Sequence, residues 1–287
     1  MLDLIKEIIV QFGGRASGSR EEYKAQKFYK EYLLKFCDAV ELMEFKCAIK
    51  AKFGSLPFIS LIFYSSFILY WFNFELALAL SIVNAIIFIG HFVTYQNWLD
   101  LFFKKESSWN VAGYIKPKNE TKEIIIVSGH MDCVYEFKWW YRLKSLGIYF
   151  TFIGSVLIII QAVAYLLIFF FNDPREFTSG WALVIWFILV FLSPANATLF
   201  DMHGKNVVDG AIDNLSGIAI SCGVGKYFSD EERRLSNIEL RVLSFGSEEM
   251  GLRGSKAYAD LIEKESKEKR ITVLNVDTIR SSKKFNI

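Results

Sequence analysis

The sequence predicts an α/β domain cut open by two apolar helical hairpins, and three observations predict it. Hydrophobic residues make up 53% of the 287, aromatics 16% and charged residues still 22%, with a mean hydropathy of +0.27. The apolar excess is confined to four long runs almost free of charge. Between these runs, helical periodicity alternates with short apolar strand-like segments, the pattern of an α/β domain. Disorder is excluded, because it needs low hydrophobicity and high net charge. Four cysteines, Cys37, Cys47, Cys133 and Cys222, share no metal or redox spacing and are too few for a disulfide scaffold. They suit a reducing compartment. A net charge of +2 gives little support to a nucleic-acid partner, and none is expected.

The elements follow in chain order. Residues 1–12 open as an amphipathic helix with Asp3, Lys6 and Glu7, not as a cleavable signal. Residues 20–36 have helical periodicity, with Tyr23, Phe28, Tyr32 and Phe36 among charged neighbours. Residues 39–49 read as a strand. The first apolar run, 56–72, is separated by Asn73-Phe74-Glu75 from the second, 76–93, whose clearly polar groups are Asn84 and His91. Two strands follow at 110–116 and 123–128. The second of them is continuously apolar, as a strand covered on both faces should be. The third run, 147–171, is long enough for the about 20 residues that cross a bilayer. The fourth starts at Trp181 and weakens at Pro194 and Asn196. A helix at 215–228, a strand at 238–245, a helix at 254–264 and a strand at 271–276 complete the series. The charged stretch 263–270 reads as a solvated helix end and loop.

The four runs form two pairs, each joined by a short turn, so each pair returns the chain to the side it left. The expected organisation is a discontinuous domain of residues 1–55, 97–146 and 201–287, with transmembrane hairpins at 56–96 and 147–200. Lys46, Lys50, Lys52, Lys104, Lys105, Lys138, Arg142, Lys144 and Lys205 flank the hairpins on the side of the polar segments, against Arg175 alone in the turns. That bias places the polar segments in the cytoplasm and makes the lipid bilayer a partner.

Acidic and imidazole residues gather at the carboxyl ends of the expected strands, where open α/β sheets hold ligands. They are His130 and Asp132, Asp213 at a helix start, the pair Glu248-Glu249, and Asp277. Each has an ordinary reading alone: a structural histidine, a helix N-cap, a solvated loop, a turn. Together, one imidazole and several carboxylates form a donor set suited to Zn²⁺ or a similar divalent ion.

The motifs carrying these residues resemble the zinc aminopeptidase family typified by bacterial leucyl aminopeptidase and aminopeptidase Y, metallopeptidase family 28. GRASGSREEYKAQKFYKEYL is similar to its opening Arg-x-x-Gly-Ser and helix, and NVAGYIKP to its Asn-Val strand. VSGHMDCV, GAIDNLSG, FGSEEMGLRGSKAY and LNVDTI resemble its four site motifs, in the family's order. The resemblance implies a mixed central sheet flanked by helices, of the zinc exopeptidase type. It implies two zinc ions: His130 and Asp277 on the first, Glu249 on the second, Asp213 bridging both. It makes Asp132 the group that orients His130 and Glu248 the general base. The implied activity is an aminopeptidase hydrolysing the N-terminal bond of a peptide substrate through a metal-bridged water.

Two departures qualify this. The resemblance implies a further histidine ligand well past Asp277, but the sequence ends at Ile287 without one. The expectation is a C-terminally truncated chain, weak or inactive for want of that ligand. His91 lies in an apolar run, and His203, ten residues before Asp213, is a weak substitute. The second departure is the hairpins themselves, one of which falls between His130 and Asp213 beside the site. Two other readings stay open: a non-catalytic membrane scaffold or receptor keeping the fold, and glutaminyl-cyclase-like chemistry at a similar site.

Overall fold

The computed structural model describes residues 2–171 and 180–279. The chain divides into two compact units: Met1–Ile49 with Lys104–Tyr135 and Asn206–Ile287, and Lys50–Phe103 with Glu136–Lys205. Elements are numbered along the chain.

The first unit is built on a five-stranded mixed sheet. Strand β1 (Ala39–Cys47) pairs antiparallel with β2 (Glu106–Ile115), and β2 antiparallel with β6 (Ile238–Phe245). β6 runs parallel to β3 (Glu123–His130), and β3 parallel to the edge strand β7 (Arg270–Asn275). The run Ile124–Val127 of β3 is apolar because both faces of the strand are covered. Ile124 and Ile126 pack with Leu243, Phe245 and Tyr258 of α10 (Arg253–Leu261). Val127 lies in the core on the other face, with residues of α1 (Leu2–Phe12), α2 (Arg20–Leu33) and α9 (Leu215–Phe228).

Helix α2 starts where Ser19 accepts from the Glu22 N–H at 3.0 Å, an N-cap. Its fully buried stripe is Ala25, Tyr29 and Leu33, spaced by four, and the aromatic set Phe28, Tyr32 and Phe36 only flanks it. The charged stretch expected to be a helix end and loop holds a short helix of its own, α11 (Glu263–Glu268), with Lys267 bonded to Glu263 one turn back.

Each apolar insertion leaves and re-enters through paired backbone. Cys47, the last residue of β1, lies opposite Glu106, the first of β2. The second insertion begins and ends in a two-stranded ribbon, β4 (Tyr135–Phe137) with β5 (His203–Val207), which sequence patterning did not reveal. Strands of three and five residues are too short to show a period.

Among the described residues, the second unit holds four helical stretches long and apolar enough to cross a membrane: Ala51–Phe72, Phe74–Val93, Ser145–Phe171 and Gly180–Asp201. The first comprises α3 (Ala51–Gly54) and α4 (Leu56–Phe72); α5 (Phe74–Phe88) opens the second. The break between them is an N-cap, Asn73 accepting from the Leu76 N–H at 2.9 Å. After the short α6 (Lys138–Leu143), α7 (Ser145–Phe171) is the longest. In the fourth, α8 (Gly180–Leu192) tightens into 3₁₀ turns from Ser193, just before Pro194. The expected turn with Arg175 lies outside the described residues.

Amides tie these helices together. Asn84 of α5 donates to the Ile59 carbonyl, Gln161 of α7 to the Phe63 carbonyl, and Asn196 to the Gly154 carbonyl, and all three are fully buried. Phe63, Phe67, Tyr70, Leu157, Tyr165 and Leu189 fill the space between. Outward-facing residues stay apolar, among them Phe58, Ile68, Phe72, Phe152, Phe170, Phe187 and Phe191. An apolar exterior around an apolar interior is the pattern of helices in lipid.

Candidate metal centre

Three parallel strands end side by side and bring the site together. His130, last in β3, is in register with Phe245, last in β6, and the Met131 N–H donates to the Phe245 carbonyl at 2.8 Å. The turns carrying His130–Asp132 and Glu248–Glu249 are therefore neighbours. On the other side, the Val276 N–H donates to the Ser128 carbonyl at 2.9 Å, which carries Asp277 to the same edge. Asp213 arrives from the start of α9. Its neighbour Asn214 caps that helix through the Gly217 N–H at 3.0 Å and donates to the Val276 carbonyl at 2.9 Å. A Cβ on Gly217 would stand 2.2 Å from that carbonyl, so only glycine admits this approach. The Asp213–Asn214 peptide bond is cis.

All six residues singled out in the sequence converge. Donor atoms of His130, Asp213 and Asp277 lie within 4.8 Å of one another, as do those of His130, Glu248 and Glu249. His130 Nε2 stands 3.1 Å from Asp213 Oδ1 and 3.5 Å from Glu248 Oε2. Its Nδ1 faces the Asp132 carbonyl at 3.1 Å. A carbonyl only accepts, so Nδ1 carries the proton and Nε2 points into the cluster as the donor atom.

Asp132 is fully buried and organises both turns. Its Oδ1 accepts from the Glu248 N–H at 3.0 Å, and its Oδ2 from the Glu249 N–H at 3.1 Å and the Ser17 hydroxyl at 2.6 Å. Burial alone would raise its carboxyl, but His130 and these donors hold it below the usual carboxylate range. The Glu248-Glu249 turn is flanked by Ser247 (φ 49°) and Leu252 (φ 59°), two non-glycine residues in the left-handed region. Such backbone persists where its surroundings over-determine it.

The electrostatics fit a cation. Burial pushes the Glu249 carboxyl up to about 8, and Asp132, Asp213 and Glu248 add to the rise against the pull of His130. Burial also disfavours charge on His130, yet its bonds to Asp132 and Asp213 lift it well above the ordinary histidine value. A divalent ion would relieve the crowded carboxylates, and the imidazole-plus-carboxylate set is one that zinc accepts. His203 is elsewhere, its ring against Phe53 and its Nδ1 at the Gly204 carbonyl. Neither His203 nor His91 joins either donor group.

Two buried ionisable residues support the site that sequence reasoning did not single out. Arg15 is fully buried and donates to the Met131 carbonyl at 2.9 Å, the Cys133 sulfur at 3.0 Å and the Asp209 carbonyl at 2.9 Å. It joins the His130 turn to the segment leading to Asp213. Glu22 accepts from the Gly18 and Ser247 N–H groups and from Ser108. The available signal was the opening GRASGSREE, read only for its resemblance.

Residues 198–286 match the sequence model of peptidase family M28. No curated protein sequence matches the chain. Among solved structures, the aminopeptidase from Aneurinibacillus sp. strain AM-1 aligns with a TM-score of 0.50 at 13% identity, over 98% of this chain and 70% of that one. A zinc aminopeptidase from Bacillus subtilis aligns with a TM-score of 0.47 at 15% identity, over 96% and 68%. Fimbriiglobus ruber glutaminyl cyclase gives 0.46 at 13%, over 96% and 59%. The fold shared with the first is the mixed sheet flanked by helices. The family match spans the segments of Asp213, Glu248-Glu249 and Asp277.

Proposed function

We propose that the chain is a membrane-anchored zinc exopeptidase that removes N-terminal residues from peptides. The observation that carries this reading is the convergence of His130, Asp213, Glu248, Glu249 and Asp277 at one sheet edge. His130 and Asp277 would hold one zinc ion, Glu249 a second, and Asp213 would bridge them. Bound there, zinc supplies Lewis acidity for hydrolysis of a peptide bond.

The remaining work falls to the chain. Asp132 fixes the Nδ1–H tautomer of His130 and pins the backbone of both glutamates. Glu248, with its side chain one-fifth exposed, takes the proton of the attacking water and returns it to the departing amine. Division of labour between adjacent carboxylates follows from position: one is held for metal, one is left to move protons.

The apolar helices would cross the bilayer as two hairpins, with the flanking lysines and arginines keeping the α/β segments on the cytoplasmic side. The test is hydrolysis of aminoacyl reporter substrates by zinc-loaded protein beside Glu248→Gln. The variant should keep its fold and lose activity about 100- to 10,000-fold. Equal rates in the two proteins reject Glu248 as the base.

A further inference from the structure

On the α10 face of the sheet, the first unit holds a pocket of about 390 Å³, a size that suits a small ligand or a side chain. Its floor is Ile126 of β3, Val273 of β7, which is its register partner, and Phe245 of β6. Tyr258 of α10 and Ile262 just beyond it form the wall. The Ser128 hydroxyl in the lining donates to Asn275 Oδ1 at 2.9 Å, and that of Ser255 to the Leu252 carbonyl at 3.0 Å. With those hydroxyls turned to the chain, the pocket offers mainly apolar surface. Its wall is fixed. The Tyr258 hydroxyl accepts from Arg241 at 3.2 Å, and Arg241 is held in turn by Glu239 at 2.6 Å and Glu265 at 2.7 Å. A Cβ on Gly254, in the first turn of α10, would stand 2.3 Å from the Gly246 carbonyl, so the helix packs directly on the turn after β6.

Its position defines an occupant. Glu248 belongs to both places: its Oε2 stands 3.5 Å from His130 Nε2, and it lines the pocket. His130, Asp213, Glu249 and Asp277 do not line it. The base therefore stands between the metal donors and the apolar cavity. In peptide hydrolysis Glu248 hands its proton to the departing amine. That amine belongs to the second residue of the peptide. A second residue with its nitrogen at Glu248 has its side chain beside the pocket. Val273 and Ala259 are exposed, so the cavity opens to solvent and a side chain can enter it.

We infer that this pocket takes the side chain of the substrate's second residue and selects a large apolar or aromatic one. The inference rests on the peptidase reading above and deepens it, because removal of N-terminal residues does not itself require a particular residue after the cut bond. Burial of an apolar side chain there favours it about 10- to 100-fold over glycine. Lys256, the cation of the lining, sets the pocket against a basic side chain.

The test has a binding arm and a hydrolysis arm, both on the full chain in mild detergent. In the first, metal-free protein is titrated with phenylalaninamide, lysinamide and glycinamide, and binding is read by ligand-observed NMR. Phenylalaninamide should bind about tenfold or more tightly than the other two. In the second, zinc-loaded protein is given leucyl-phenylalaninamide or leucyl-glycinamide, and kcat/KM should favour the first by a similar factor. Ala259→Trp, which fills the pocket from the exposed side of α10, should bring both preferences to near parity. Should that variant fail to fold, Val273→Trp fills the pocket from the floor. Equal binding of the three amides by wild type, or a preference that survives both fillings, overturns the pocket. Hydrolysis of the two dipeptides at equal rates also overturns it while leaving the peptidase reading intact. A binding preference that Ala259→Trp erases, with neither dipeptide cleaved, upholds the apolar site and overturns the peptidase reading instead.

Discussion

Asp132 concentrates the chemistry of the centre in one fully buried carboxylate. Its Oδ1 lies 3.4 Å from His130 Nδ1, and its two oxygens fix the backbone of Glu248 and Glu249, so its loss should be felt through other residues. Asp132→Asn replaces one accepting oxygen with a donor facing an N–H or the Ser17 hydroxyl. Zinc affinity should fall about 10- to 100-fold, the range for groups that orient a metal ligand. Competition with a chelating dye measures it, and unchanged affinity would remove the orienting role. Glu22 makes a different prediction. Burial pushes its carboxyl up to about 8 from an ordinary 4.5, with Asp132 adding to the rise and the Gly18 and Ser247 N–H groups and Ser108 resisting it. A carboxyl raised in the folded chain binds its proton more tightly there than when unfolded. Its contribution to stability is therefore full below about 4.5 and is lost as pH rises through 8. Glu22→Gln should flatten that decline, because it does not titrate. It should also lower stability at pH 6 by about 1–3 kcal/mol, because its NH₂ meets a backbone donor. Thermal unfolding across pH 5–8 reads both effects.

The elements show what was legible and why. Three carboxylate-bearing turns could be placed together from sequence because each follows an apolar strand, and parallel strands bring their carboxyl ends to one edge, while Asp213 was marked by its place at a helix start. The long apolar stretches were legible from length and lack of charge. Arg15 and Glu22 were not, because their partners are distant in the chain: Glu22 meets Ser108 after 86 residues and Ser247 after 225. No local period marks such a pairing. The β4–β5 ribbon escaped for want of length. Close packing between elements was hidden too. A Cβ on Gly129 of β3 would lie 2.7 Å from the Ile218 nitrogen and 2.8 Å from the Gly217 carbonyl carbon, both backbone. Gly129→Ala should therefore push α9 off the strand, destabilising by about 1–3 kcal/mol and displacing Asp213. A Tm shift accompanied by weaker zinc binding is expected, whereas a neutral substitution would contradict the packing.

For the whole molecule, the high apolar content is an average over two unlike units. An α/β unit is assembled from three separated stretches of sequence, and four apolar helices are inserted between them. The insertions leave the sheet intact because their ends are paired, Cys47 opposite Glu106 and β4 beside β5. A five-stranded sheet can thus keep its strand ends in register while 58 residues, 48–105, intervene between β1 and β2. The metal centre at the edge shared by β6, β3 and β7 depends on that register. Zinc content per chain, measured by mass spectrometry of the elements after equilibration with zinc and dialysis, tests it most directly, with His130→Ala and Asp213→Asn in parallel. Bound zinc in wild type that is lost in both variants, with folding unchanged, is the predicted result; wild type without zinc, or variants that keep it in full, would contradict the centre.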